Sequence, residues 1–126
     1  MAAKILIVDD TPAMVSLISD ALLQAGFEVV TAEDGKEGLA AIAKHGPDLV
    51  ILDISMPVMS GLQVLRKLRG EDATKFLPVI LLTGRGGHAD VLEGWMGGAD
   101  RYLTKPCSME ELLAAVAQML EELTHT

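Results

Sequence analysis

The chain has 126 residues, half of them apolar, with one Trp, one Tyr, two Phe and a formal charge of −8. That length fits one domain with a sound aliphatic core, and the acidic balance argues against a nucleic-acid or anionic-membrane surface while suiting cations and basic partner patches. The single Cys107 excludes an internal disulfide, and without a targeting or membrane-spanning stretch the chain reads as cytoplasmic.

Short β-branched runs alternate with longer stretches of helical period. The first strand is expected near 4–8 and ends on Asp9-Asp10. A helix over 12–25 follows, with Pro12 in its first turn, Asp10 or Thr11 as its cap and Gly26 as its stop. A second strand near 28–32 leads to a helix over 35–45, where Asp34 and Glu37 have capping-box spacing. The third strand, near 48–52, carries the apolar run Leu49-Val50-Ile51-Leu52 and delivers Asp53, followed by Ile54-Ser55-Met56-Pro57, a turn to Gly61 and a helix over 61–70.

The fourth strand, near 78–82, delivers Thr83, and a helix over 88–97 follows. Gly84, Gly86 and Gly87 precede that helix, and Gly94, Gly97 and Gly98 fall in or after it, so this is the least stable part expected of the fold. Trp95 and Met96 are its candidates for an exposed apolar patch. The fifth strand, near 101–104, delivers Lys105-Pro106, and a last helix runs over 109–122 behind Ser108 and Glu111, again at capping-box spacing. The first, third and fourth strands lack polar alternation, as strands covered on both faces do. Five such units predict an α/β fold: a doubly wound parallel sheet with helices on both faces.

In such a sheet, ligands bind beyond the carboxyl ends of the strands. Asp9, Asp10, Asp53, Thr83 and Lys105 would therefore converge on one rim. Two carboxylates about 4 Å apart repel by roughly 4 kcal/mol at an effective dielectric near 20. Lys105 alone cannot balance three of them, and Mg²⁺ with carboxylate, carbonyl and water ligands would fill the deficit. Asp53 could act as a nucleophile toward phosphorus, with Thr83 donating a hydroxyl and Lys105 a point charge to the phosphoryl oxygens. A cis Lys105–Pro106 bond would aim the lysine at the rim. Taken singly, these residues also suit a helix cap, a turn, a strand end and a solvated surface. The joint placement favours the site. His45, His88 and His125 are scattered, which supports neither a histidine phosphodonor nor a histidine metal site.

Val8-Asp9-Asp10, Leu52-Asp53-Ile54-Ser55-Met56-Pro57 with Gly61, Thr83-Gly84 and Gly98-Ala99-Asp100-Arg101-Tyr102-Leu103-Thr104-Lys105-Pro106 resemble the receiver domain of two-component response regulators. The resemblance spans essentially the whole chain. It implies strand order 2-1-3-4-5 and a single receiver domain over 1–126 with its core at about 3–122. Asp53 would accept a phosphoryl group from a sensor histidine kinase or histidine phosphotransfer protein. Asp10, Asp53 and the Ser55 backbone carbonyl would bind Mg²⁺ with help from Asp9. On phosphorylation Thr83 would move toward the phosphoryl group, Tyr102 would turn inward, and the face made by the 88–97 helix, the fifth strand and the last helix would change.

The resemblance further implies that Pro12, Ala13, Met14 and Leu17 lie on the helix that docks the kinase or phosphotransfer bundle. The domain would be a switch that catalyses only its own phosphorylation and dephosphorylation, without direct nucleic-acid or membrane binding. It would be a monomer or a phosphorylation-promoted dimer. Ser60, Gly84, Gly97, Arg101 and Cys107 depart from residues common at those positions, away from the phosphorylation site. Ser55 and Arg85 occupy positions that tune self-hydrolysis, and Ser55 lacks an amide to orient water, so slow decay is expected. A phosphatase with an aspartyl nucleophile would need a second acid where Ser55 stands. A flavodoxin-like cofactor binder would need a phosphate loop where the two aspartates stand. A receiver cut from a longer regulator is the remaining alternative.

Overall fold

Strands form where apolar residues can be buried on both sides, and the interior is sorted by strand alternation. The computed structural model describes residues 2–84, 98–105 and 107–124. Its strands are β1 (Lys4–Val8), β2 (Glu28–Ala32), β3 (Leu49–Asp53), β4 (Val79–Thr83) and β5 (Arg101–Thr104). Its helices are α1 (Pro12–Gln24), α2 (Gly35–His45), α3 (Gly61–Arg69) and a C-terminal helix (Met109–Thr124). All strand pairs are parallel and the order is β2-β1-β3-β4-β5, as expected. The helix expected over 88–97, with Trp95, Met96 and Arg85, lies outside the described residues.

Leu6, Val8, Val50, Leu52, Val79 and Leu81 point to one face, where Ile42 of α2 and Val64, Leu65 and Leu68 of α3 cover them. Ile5, Ile7, Leu49, Ile51, Ile80 and Leu82 point to the other, beneath Ile18 and Leu22 of α1 and Leu112, Val116 and Met119 of the C-terminal helix. The period of two within a continuous apolar run thus builds both cores at once. β5 is an edge strand, and its alternating burial leaves Tyr102 43% exposed.

Helix ends follow the sequence signals, with one exception. Asp34 accepts the Glu37 amide at 2.8 Å, and Ser108 accepts the Glu111 amide at 3.0 Å. Ser60 and Gln63 complete a reciprocal capping box on α3 that was not anticipated. At α1, Thr11 is the cap residue but makes no side-chain cap bond. Its amide donates to Asp9 Oδ1 at 2.9 Å, which ties that carboxylate to the residue at the start of α1.

β3 and β4 each run one residue later than expected, through Asp53 and Thr83. The ladder continues because the Ile54 amide donates to Leu82 O at 3.0 Å and the Lys105 amide to Thr83 O at 2.6 Å. Both residues are therefore held by regular sheet backbone and not by a loop.

Candidate functional site

Parallel pairing of Val8 with Leu52 brings the next residues, Asp9 and Asp53, side by side at the carboxyl ends of β1 and β3. This is where the strand order reverses, the crevice that doubly wound sheets use for ligands. One carboxylate oxygen from each of Asp9, Asp10 and Asp53 lies within 4.8 Å of the others. Lys105, arriving from the end of β5, places Nζ 3.2 Å from Asp9 Oδ2 and 3.1 Å from Asp53 Oδ1. Asp9 and Asp53 are buried, and Asp10 is exposed.

The electrostatics follow from that geometry. Burial raises the Asp53 pKa, the charges of Asp9 and Asp10 add to the rise, and Lys105 pulls against it without reversing it. Burial alone would lower the Lys105 pKa, but hydrogen bonds and charge from Asp53 and Asp9 outweigh it and stabilise the ammonium. One ammonium against three carboxylates leaves a deficit of positive charge. The donors are hard oxygens, so the set fits a divalent cation of the Mg²⁺ type. Asp9 has Oδ1 on the Thr11 amide and Oδ2 on Lys105. Among the described residues, Asp53 has only Oδ1 engaged, by Lys105.

Thr83 is buried at the end of β4, alongside Thr104, and its carbonyl anchors the Lys105 backbone. Ser55 is exposed two residues beyond Asp53. Tyr102 stands two strand positions before the rim residue Thr104. The expected cis bond to Pro106 lies outside the described residues.

Three features escaped the sequence reading. A cavity of about 280 Å³ opens beside Asp9 and Asp10, and Glu33 at the end of β2 is among its lining residues. The strand-end rule would have pointed to that acid, since β2 neighbours β1. Gly61 packs so closely on the end of β3 that a Cβ there would overlap the Asp53 carbonyl oxygen. Val58, between Asp53 and α3, holds a φ of 69° while 82% exposed. A β-branched residue in the left-handed region is strained, at a cost of order 1 kcal/mol. Val58→Gly is therefore expected to raise stability by about 1 kcal/mol in denaturant titration, and an unchanged or lower midpoint would refute the strain.

A family model described as the response regulator receiver domain matches residues 5–117. The chain is 41% identical over 122 residues to the transcriptional regulatory protein TrcR of Mycobacterium tuberculosis, covering 97% of this chain and 47% of that protein. It is 36% identical over 124 residues to the phosphate regulon transcriptional regulatory protein PhoB of Escherichia coli, covering 98% and 54%. The chain thus spans about half the length of these curated relatives.

Among solved structures, chemotaxis protein CheY4 of Vibrio cholerae superposes with a TM-score of 0.84 at 37% identity, covering 94% of this chain and 98% of that one. The response regulator TrrA of Thermotoga maritima, solved in complex with Mg(2+)-BeF, superposes with a TM-score of 0.81 at 38% identity, covering 92% and 97%. By the family match, these identities and the shared fold, the chain belongs to the response regulator receiver domains, the phosphorylation-dependent switches of two-component signalling.

Proposed function

We propose that the chain is a receiver domain over residues 1–126 whose Asp53 takes a phosphoryl group from a phosphohistidine of a sensor histidine kinase or phosphotransfer protein. The observation that carries this is the meeting of Asp9, Asp10, Asp53 and Lys105 at one strand-end crevice. The Asp53 carboxylate forms the new O–P bond as the N–P bond breaks and the donor imidazole leaves with the electron pair. Transfer of this kind passes through a loose, in-line transition state, so positioning and charge neutralisation dominate.

Asp10, Asp53 and the Ser55 backbone carbonyl would hold Mg²⁺, with Asp9 assisting. Both Asp9 oxygens already have protein partners, which suits an indirect role. The ion supplies positive charge to the phosphoryl oxygens. Lys105 adds a second cationic contact, and Thr83 adds a hydroxyl. Thr83 would then shift toward the phosphoryl group, and Tyr102, now 43% exposed, would turn inward behind it. The surface formed by the 88–97 segment, β5 and the C-terminal helix would change and alter the binding of a downstream protein, in a monomer or a phosphorylation-promoted dimer. We read the domain as cytoplasmic, acting on its own phosphorylation and not on an external metabolite.

The test is incubation with Mg²⁺ and a small-molecule phosphodonor, followed by intact mass measurement. One phosphoryl adduct is expected, absent without divalent cation and absent in Asp53→Asn. An adduct that persists in Asp53→Asn would place the acceptor elsewhere. Phosphorylated protein is also expected to decay slowly, because Ser55 lacks a side-chain amide to orient water, and Ser55→Asn should speed that decay. Rapid loss that Ser55→Asn leaves unchanged would refute this role.

A further inference from the structure

We propose that the groove between α2 and α3, at the edge of the sheet opposite the acidic rim, docks an acidic amphipathic helix of a partner protein. The groove has a volume of about 550 Å³. Leu39, Ile42 and Ala43 line one side and Leu68 and Leu77 the other. These residues come from the ends of α2 and α3 and the segment entering β4, which precede strands β3 and β4 and so sit away from Asp53. The inference does not depend on phosphorylation.

Charge selects the occupant. Six of the ten basic residues but only five of the eighteen acidic ones fall within 35–77, in a chain that is otherwise strongly acidic. Lys67 lines the groove, and Lys44 lies one residue beyond Ala43 in α2. Both are exposed, and neither enters an ion pair among the described residues. Basic residues in the last turns of α2 and α3 also answer the helix dipoles. That role leaves unexplained why Phe76, next in sequence to the lining residue Leu77, is 83% exposed. Lys75, 5.4 Å from its ring centroid, is already paired with Asp72 at 3.3 Å, so Lys44 and Lys67 are the cations left for a partner.

Exposed aromatic and apolar surface framed by cations matches a helix with leucine-type side chains on one face and carboxylates beside them. Glu71 is the one acid among the lining residues and sets where a partner carboxylate would be repelled. The apolar surface is a groove between two helices, which seats a helix and gives a flat bilayer little contact.

The probe is a synthetic amphipathic peptide of about four helical turns, leucines on one face and glutamates on the other, titrated into the full isotope-labelled chain. Amide shifts at Ala43, Gly46, Leu68 and Leu77 are expected, weakening with salt. Lys44→Glu with Lys67→Glu should lower affinity about tenfold, and Phe76→Ser should lower it at unchanged melting temperature. Absence of shifts, shifts confined to another face, or equal binding of a peptide with lysines in place of glutamates would overturn the proposal. So would phosphatidylserine vesicles moving these amides when the peptide does not, which would mark a lipid surface.

Discussion

Asp53→Asn is expected to make the metal-free protein more stable while removing the proposed phosphoacceptor. Three carboxylates share a rim with one ammonium, and the Asp53 group is buried with its pKa raised by burial and by Asp9. The amide keeps the shape, removes one repelling charge and leaves the Lys105–Asp9 pair at 3.2 Å intact. A gain of about 1–2 kcal/mol at neutral pH, or several degrees in melting temperature, is the scale of relieved functional-site strain.

The pH dependence has a definite sign. In the folded wild type Asp53 keeps its proton to higher pH than in the unfolded chain. Stability therefore falls as pH rises from the ordinary carboxylate range through the raised value, and the full penalty stands above it. The variant lacks that decline, so its advantage should be small in acid and grow through this window in chelator-treated buffer. Mg²⁺ should reverse the ranking. A ligand that binds only the native state adds about 2.7 kcal/mol at a hundred times its Kd, and Asp53→Asn should blunt that response. Wild type and variant with equal melting temperatures, equally insensitive to Mg²⁺, would contradict the reading of the rim as an uncompensated cation site.

How much of this was legible before the coordinates depends on the physics of each feature. The sheet was readable because Ile5-Leu6-Ile7-Val8, Leu49-Val50-Ile51-Leu52 and Val79-Ile80-Leu81-Leu82 are apolar at every position, which only two covered faces explain. The rim was readable because those runs each stop at a residue with chemistry to offer. The exact last residues of β3 and β4 were not, since they depend on bonds such as Ile54 to Leu82 that cross between distant segments. Thr11 as a partner of Asp9 was hidden for a different reason. A Thr before Pro12 reads as a helix cap, and nothing in one dimension shows that its side chain makes no cap bond while its amide donates to the Asp9 carboxylate. The Val58 backbone angle and the exposure of Phe76 carry no local signal, because valine is the wrong residue for the one and phenylalanine suits a core as well as a surface.

Gly61 shows the same limit with a larger consequence. As a loop glycine it reads as turn punctuation, yet its φ is not among the left-handed ones and conformational freedom is not its reason to be there. A Cβ at this position would overlap the Asp53 carbonyl oxygen and come within 2.9 Å of both the Asp53 carbonyl carbon and the Ile54 Cα. These are backbone atoms of a central strand and its continuation, and they cannot swing aside as a side chain tip could. The Gly61 amide also donates to Ile54 O at 3.0 Å, so the start of α3 is fastened directly to the end of β3. Gly61→Ala must therefore push the helix off the strand or bend the strand that carries Asp53. Overpacking against rigid backbone costs about 2–4 kcal/mol, and a melting temperature lower by about 10 °C is expected. Phosphoryl uptake should fall further than the loss of folded protein accounts for, because the Asp53 carboxylate, the proposed acceptor, would shift against Lys105. Gly70→Ala is the matched control: its Cβ would meet Arg66 O at 3.5 Å and Lys67 O at 3.7 Å, ordinary contact at a helix end, and it should leave stability within about 0.5 kcal/mol. Wild-type melting and phosphorylation in Gly61→Ala would mean that the junction yields easily, and that Asp53 is not held in place by α3.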